Sequence, residues 1–224
     1  VVDPAIGDDL KTLAAIGPGD ININARTQDD TTWIVAYSAA ESPQVYYRYD
    51  RPSGKLDKLF SARPQLEGAP LVPQWPVEIT SRDNLTLVSY LTLPRHADPD
   101  RDGKADARVP LVLLVHGGPW ARDSYGYGGY NQWLANRGYA VLSVNFRGST
   151  GFGKEFTNAG NGEWAGKMHE DLIDAVQWAV GQGVTTADKV AIMGGSYGGY
   201  ATLAGLTFTP DTFACGVDIV GPSN

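Results

Sequence analysis

A short apolar run, Lys189-Val190-Ala191-Ile192-Met193, leads directly into Gly194-Gly195-Ser196-Tyr197-Gly198, and few folds accommodate that junction. Glycines on both sides of a serine remove the Cβ groups that would clash in a sharp strand-to-helix turn, and such a turn lifts the hydroxyl out of the sheet. The pattern predicts a strand, a tight turn at Ser196, and a helix that sets the small residues Gly199, Ala201 and Ala204 against the sheet. A serine presented this way is a candidate nucleophile. Its hydroxyl reacts only when a neighbouring base takes the proton, and the base is itself held by a carboxylate.

The same alternation of strand and helix signals runs through residues 71–224. Val77–Thr80 and Leu85–Leu93 read as a hairpin, and Val109–Val115, Tyr139–Phe146, Val190–Met193 and Gly216–Val220 read as buried parallel strands. Between them, Trp164, Met168, Leu172, Val176 and Ala179 recur at helical spacing, which predicts a helix over 163–181 with all five residues in the core, stopped by Gly181 and Gly183. A second helix is expected through Tyr130–Asn136, with Gly138 as its stop. Together these elements give an α/β fold, an open and mostly parallel sheet with helices on both faces. Residues 1–70 differ: Ile21–Asn24, Thr31–Tyr37, Val45–Tyr49 and Leu56–Phe60 predict four short antiparallel strands separated by turns. That is the content of one β-propeller blade, or alternatively a small meander. The proline-rich stretch Pro64, Pro70, Pro73, Pro76 reads as a linker.

Acyl transfer needs hydrogen-bond donors aimed at the oxyanion that develops on the carbonyl. The amide of Tyr197, next to the nucleophile, is one candidate, and an amide in His116-Gly117-Gly118-Pro119 after the third strand is the other, Gly118 being the residue chosen. Three histidines are present, all before Ser196. His116 precedes the oxyanion glycines and is expected to hold that loop by hydrogen bonding; His169 is expected on a solvated helix surface, and His96 in a polar loop. None is assigned as the base. Asp98 to Asp106 contains Asp-x-Asp-x-Asp-Gly, the opening of a calcium loop, but Val109 stands where a bidentate glutamate belongs, so a solvated acidic turn is expected and no metal site is assigned. A net charge of −7 with no Lys/Arg cluster argues against nucleic acid, and no stretch is long and apolar enough to span a membrane. Cys215, alone in the chain, cannot form an intrachain disulfide and is expected in the core. No cofactor is called for, and the compartment of a soluble chain, cytoplasmic or periplasmic, stays open.

His116-Gly117-Gly118-Pro119-Trp120 with Arg122, Asn145-Phe146-Arg147-Gly148-Ser149-Thr150-Gly151-Phe152-Gly153, Glu163-Trp164-Ala165-Gly166, Asp171, and Gly194 to Tyr200 follow one another in an order that resembles the prolyl oligopeptidase family of serine peptidases, its acylaminoacyl-peptidase and dipeptidyl-peptidase-like branch most of all. The resemblance covers about residues 75–224, with residues 1–70 matching loosely the last blade of that family's propeller. It implies an α/β-hydrolase fold, Ser196 as nucleophile, Tyr197 and Gly118 as oxyanion donors, and Trp120, Arg122 and Arg147 near the substrate. It implies cleavage of short peptides through an acyl-enzyme, by a Ser-Asp-His triad. The family places its aspartate and histidine after later strands, so the triad partners are expected outside this chain. The sheet is expected to be incomplete at its C-terminal side, a separate polypeptide or self-association covering the open edge, and the chain alone is expected to be inactive. A carboxylesterase of the same fold and a non-catalytic binding or structural piece are the alternatives.

Overall fold

The computed structural model describes residues 4–17 and 19–223. They divide into two compact units, one running up to residue 71 and taking in 125–129, the other comprising the remainder.

In the first unit, helix α1 (Ala5–Ala14) precedes four strands, β1 (Asp20–Arg26), β2 (Thr32–Ala39), β3 (Ser42–Asp50) and β4 (Lys55–Ser61). The strands form an antiparallel meander in that order, as their period-2 patterns require. The helix is a correction to the all-strand reading of this segment. Leu13 packs with Trp33, Val35 and Tyr49, all essentially excluded from solvent. Arg51 stacks over Trp33 at 4.5 Å and bonds Asp9 on the helix, which also accepts from the Tyr49 hydroxyl at 2.9 Å. Helix and sheet are thereby joined by apolar contact and by a satisfied ion pair.

The second unit holds β5 (Gln74–Thr80), β6 (Thr86–Thr92), β7 (Leu111–Val115), α2 (Gly129–Ala135, entering from the first unit at Gly129), β8 (Ala140–Val144), α3 (Lys154–Asn158), α4 (Lys167–Gly181), β9 (Val190–Gly195), α5 (Tyr197–Phe208) and β10 (Cys215–Ile219). The sheet order is β10-β9-β7-β8-β6-β5. Strands β8, β7, β9 and β10 are parallel, and β6 pairs antiparallel to both β8 and β5. Side chains alternate between the two faces. Leu111, Leu113, Val115, Leu142, Val144 and Ile192 enter the core that Met168, Leu172 and Val176 of α4 complete, whereas Val112, Val141 and Met193 turn to the other face and meet Leu134 of α2. Burying each such leucine or valine contributes about 1.5–3 kcal/mol.

Three expectations change here. The stretch read as a linker ends in strand: Pro76 lies in β5, tolerated because β5 is an outer strand whose missing N–H breaks no central ladder. Helix α4 begins at Lys167 rather than at 163, since Ala165 takes φ 55° and Gly166 ψ −126°, both outside the right-handed helical region, making 163–166 a turn; Trp164 is consequently outside the helix and 42% exposed. Cys215 is exposed rather than in the core, because β10 pairs only with β9 among the described strands.

Candidate active site

Strand β9 runs into α5 through Ser196, which adopts φ 55° and ψ −118°. Such a backbone is costly for a residue with a Cβ, and it is held by its surroundings: the Ser196 amide donates to the Ile219 carbonyl at 2.9 Å and the Tyr200 amide donates back to the Ser196 carbonyl at 3.0 Å. Two glycines make the turn sterically feasible. A Cβ on Gly194 would fall on the carbonyl of Gly198, and one on Gly198 would fall on the carbonyl of Val115 at the end of β7. The result is a solvent-exposed serine at the N-terminus of a helix. The Tyr197 amide lies in the first turn of α5, where an N–H has no intrahelical acceptor and the helix dipole favours negative charge.

The loop after β7 lies against this turn, with the Cβ position of Gly117 only 3.4 Å from Ser196 Cβ. The Gly118 amide makes no hydrogen bond within the described residues, and the Gly118–Pro119 peptide is cis. His116 braces the loop as expected from sequence. Burial pushes its imidazole below the ordinary histidine value. The ring's Nδ1 lies 2.7 Å from the Gly117 carbonyl oxygen and its Nε2 lies 2.9 Å from the Ser149 hydroxyl, which itself donates to the Phe146 carbonyl at 2.7 Å. The ring stacks on Phe146 at 4.5 Å, and Phe146 in turn meets Tyr197 at 5.3 Å, so one buried phenylalanine touches side chains from both the loop after β7 and the start of α5. No local sequence signal marks Phe146 or Ser149 for this work; the contacts span 30 or more positions.

Arg147 is 3% exposed and donates four of its five guanidinium N–H groups to carboxylates. Its guanidinium forks onto Asp171, at 2.9 and 2.6 Å, and onto Asp83, at 2.8 and 2.7 Å, while its backbone amide also donates to Asp171 at 2.8 Å. The guanidinium and Ser81 hold the Asp83 carboxyl well below the usual range. Arg147 therefore ties loop 145–151 to α4 and to the β5–β6 turn. Asn145 does similar work, its amide donating to the Val88 and Asp123 carbonyls and its oxygen accepting from the Asp123 amide. Burial pushes the Asp123 carboxyl up to about 6, and its Oδ2 has no hydrogen-bond partner. Trp120 is 62% exposed, and Arg122 is exposed as well. Trp164 packs its edge on Tyr197 at 4.8 Å and also meets Tyr200 at 4.9 Å.

Among the described residues no histidine bonds the Ser196 hydroxyl. His169 departs from the expectation of a solvated residue: it is 7% exposed, and its Nε2 pairs with the Thr209 hydroxyl at 3.0 Å. His96 is exposed in its loop. The carboxylates of Asp98, Asp100 and Asp102 lie within 4.8 Å of one another. Asp98, however, is buried and accepts from the Trp75 indole at 3.0 Å and from the Asp102 and Gly103 amides at 2.9 and 3.3 Å, and Val109 is in the apolar core.

Residues 127–224 match the prolyl oligopeptidase family. Over that stretch the chain is similar to the family. It is 85% identical over 224 residues to dipeptidyl aminopeptidase BIII of Pseudoxanthomonas mexicana and 48% identical over 239 aligned positions to dipeptidyl peptidase family member 6 of Caenorhabditis elegans, covering 100% of this chain and 32% of each relative. Among solved structures, a puromycin-hydrolysing peptidase of Mycobacterium tuberculosis superposes with a TM-score of 0.72 at 28% identity, over 84% of this chain and 28% of that one. The acylaminoacyl peptidase of Pyrococcus horikoshii, at 23% identity, shares the fold with a TM-score of 0.73 over 92% of this chain and 32% of that one. The sheet and crossovers of the second unit are those of the α/β-hydrolase peptidases of this family. The chain spans about a third of the length of the relatives it matches. No helix among the described residues is long and apolar enough to cross a membrane.

Proposed function

We propose that this protein is a serine peptidase that cleaves short peptides through an acyl-enzyme on Ser196. The observation that carries the reading is the strained, exposed serine at the start of α5, with two nearby amides, Tyr197 N–H and Gly118 N–H, that make no hydrogen bond within the described residues. In this reading Ser196 Oγ attacks the scissile carbonyl and the two amides receive the oxyanion. Loss of one such donor typically costs about 10²–10³ in kcat. The three histidines of the chain are placed elsewhere, so the base and its carboxylate are assigned to residues outside these 224. The names of the two relatives aligned along the whole chain favour removal of dipeptides as the specific activity.

The test is a substrate panel on the full-length protein: dipeptidyl anilides, acylated amino-acid anilides and simple nitrophenyl esters, with Ser196→Ala as the control. Cleavage of dipeptidyl anilides that vanishes in the variant is expected. Turnover of esters alone would identify a carboxylesterase instead. The isolated 224-residue chain should react with a fluorophosphonate more slowly than the full-length protein by several powers of ten, for want of a base. Labelling at equal speed would refute the assignment of the base to residues outside the chain.

A further inference from the structure

Arg122 is an exposed cation that makes no close ion pair among the described residues, although the Asp123 carboxyl next to it feels its charge. Its guanidinium lies over the Phe152 ring at 4.3 Å, and its Nε donates to the Asp123 carbonyl at 3.1 Å. Gly151, at φ +90°, leaves the space the side chain uses: a Cβ there would sit 2.5 Å from Nη1. Among the described residues no carboxylate lies within ion-pairing distance of this guanidinium, in contrast to Arg147, which has two, and Arg82, which is paired with Asp174. Stacking and the single backbone bond fix the orientation of the group and leave its remaining N–H donors open to solvent. A guanidinium so fixed loses little further freedom on binding a planar anion, and its fork matches a carboxylate.

The position bears on substrate. The Cβ position of Gly118 is 3.2 Å from Ala121 Cβ, so the loop folds back and sets the residue next to Arg122 against the oxyanion glycine, and the Ala121 carbonyl is pinned by the Thr150 amide at 2.9 Å. A short peptide has two charged ends. A guanidinium repels the α-ammonium and attracts the α-carboxylate, and the carboxylate of a residue just beyond the scissile bond is only about 3.5–7 Å along the chain from the reacting carbonyl. In a chain of net charge −7 an anionic end needs a dedicated cation.

We propose that Arg122 binds the C-terminal α-carboxylate of short peptide substrates and so favours peptides that end close after the cleaved bond. The proposal rests on the peptidase reading above. The test measures kcat/KM of the full-length protein for trialanine and for trialanine amide, alongside fluorophosphonate labelling of Ser196. The parent protein should prefer the acid by about tenfold or more, the scale of a charge-assisted hydrogen bond. Arg122→Gln should bring the acid-to-amide ratio near one, and Arg122→Lys should give an intermediate ratio. In the parent, raising the ionic strength from about 0.05 to about 0.5 M should narrow the ratio, a readout that needs no variant. A parent that labels and turns over with a ratio near one overturns the proposal and leaves the peptidase reading standing. An equal fall for both substrates in Arg122→Gln, ratio unchanged, also overturns it and makes the residue a loop brace. Absence of both labelling and turnover in the parent overturns the peptidase reading and this proposal together.

Discussion

Replacing Asp171 by asparagine should be among the most damaging single-atom changes in the second unit. Asp171 is fully buried, the Arg147 side chain is 4% exposed, and three donors of Arg147 converge on the one carboxylate. Asparagine keeps one acceptor, presents an NH₂ to a guanidinium and removes the buried negative charge. What stays is Asp83, whose side chain is 38% exposed and so screens the cation poorly from within. Breaking a buried pair by removing one partner costs about 3–5 kcal/mol. For a unit of this size that lowers the melting temperature by about 10 °C. Asp83→Asn leaves the buried half of the network intact and should cost about 1 kcal/mol. The assay is urea and thermal unfolding of the full-length protein, followed by tryptophan fluorescence, for both variants and for Arg147→Met/Asp171→Leu. Because apolar replacement of a whole buried pair is often neutral or better, the double variant should be more stable than Arg147→Met alone. If Asp171→Asn loses no more than Asp83→Asn, or the double variant is no better than Arg147→Met, the buried pair is not what holds loop 145–151.

Three further outcomes follow from the geometry. Gly198→Ala should abolish soluble expression or cost about 3 kcal/mol or more, as overpacking against a backbone carbonyl does, because the new methyl has only the Val115 carbonyl to occupy; a crystal structure or melting curve matching the parent would contradict the close approach. Asp123 gives a pH signature. Its folded value is raised to about 6 from an ordinary 3.8, so its favourable contribution is present below about pH 4 and is lost as pH rises through about 6. Asp123→Asn should therefore gain about 2–3 kcal/mol over the parent at pH 7 and nothing at pH 3.5, read as melting temperature against pH; an advantage that did not change with pH would refute the buried, ionisable carboxyl. Ser149→Ala should free His116 Nε2 and, on the proposed function, reduce kcat by more than it changes KM, since the hydroxyl then steadies the 116–119 loop without touching substrate; a change confined to KM would argue for direct substrate contact instead.

Much of this architecture could be read from the chain because the strong signals were local. Strands β7 and β8 are runs of apolar β-formers, and the turn at Ser196 declares itself by glycines that the structure shows to be sterically required. What escaped depended on partners far away in sequence. Nothing in the sequence near His169 indicates that Thr209 will close over it, and Trp164 fits the apolar stripe of α4 perfectly well until the turn at Ala165 removes it from the helix. Cys215 looked internal because its neighbours are apolar, but burial in a strand is decided by how many strands flank it. Helix α1 is a different case. Ile6, Leu10 and Leu13 have helical spacing, with Asp8 early and Lys11 late, so the signal was available in a segment whose strand character drew the reading away from it.

The contact between Gly198 and the Val115 carbonyl also bears on how such a site can change over time. Strand β7, which leads into the 116–119 loop, and helix α5, which begins after Ser196, meet backbone to backbone at this point, with no side chain between them. Their separation is then a property of the fold itself, and in the proposed reading substitutions at the exposed Trp120 or Arg122 would alter what the surface recognises without altering the distance between the attacking oxygen and its amide donors. On that reading, recognition is free to drift while the reacting geometry is inherited unchanged.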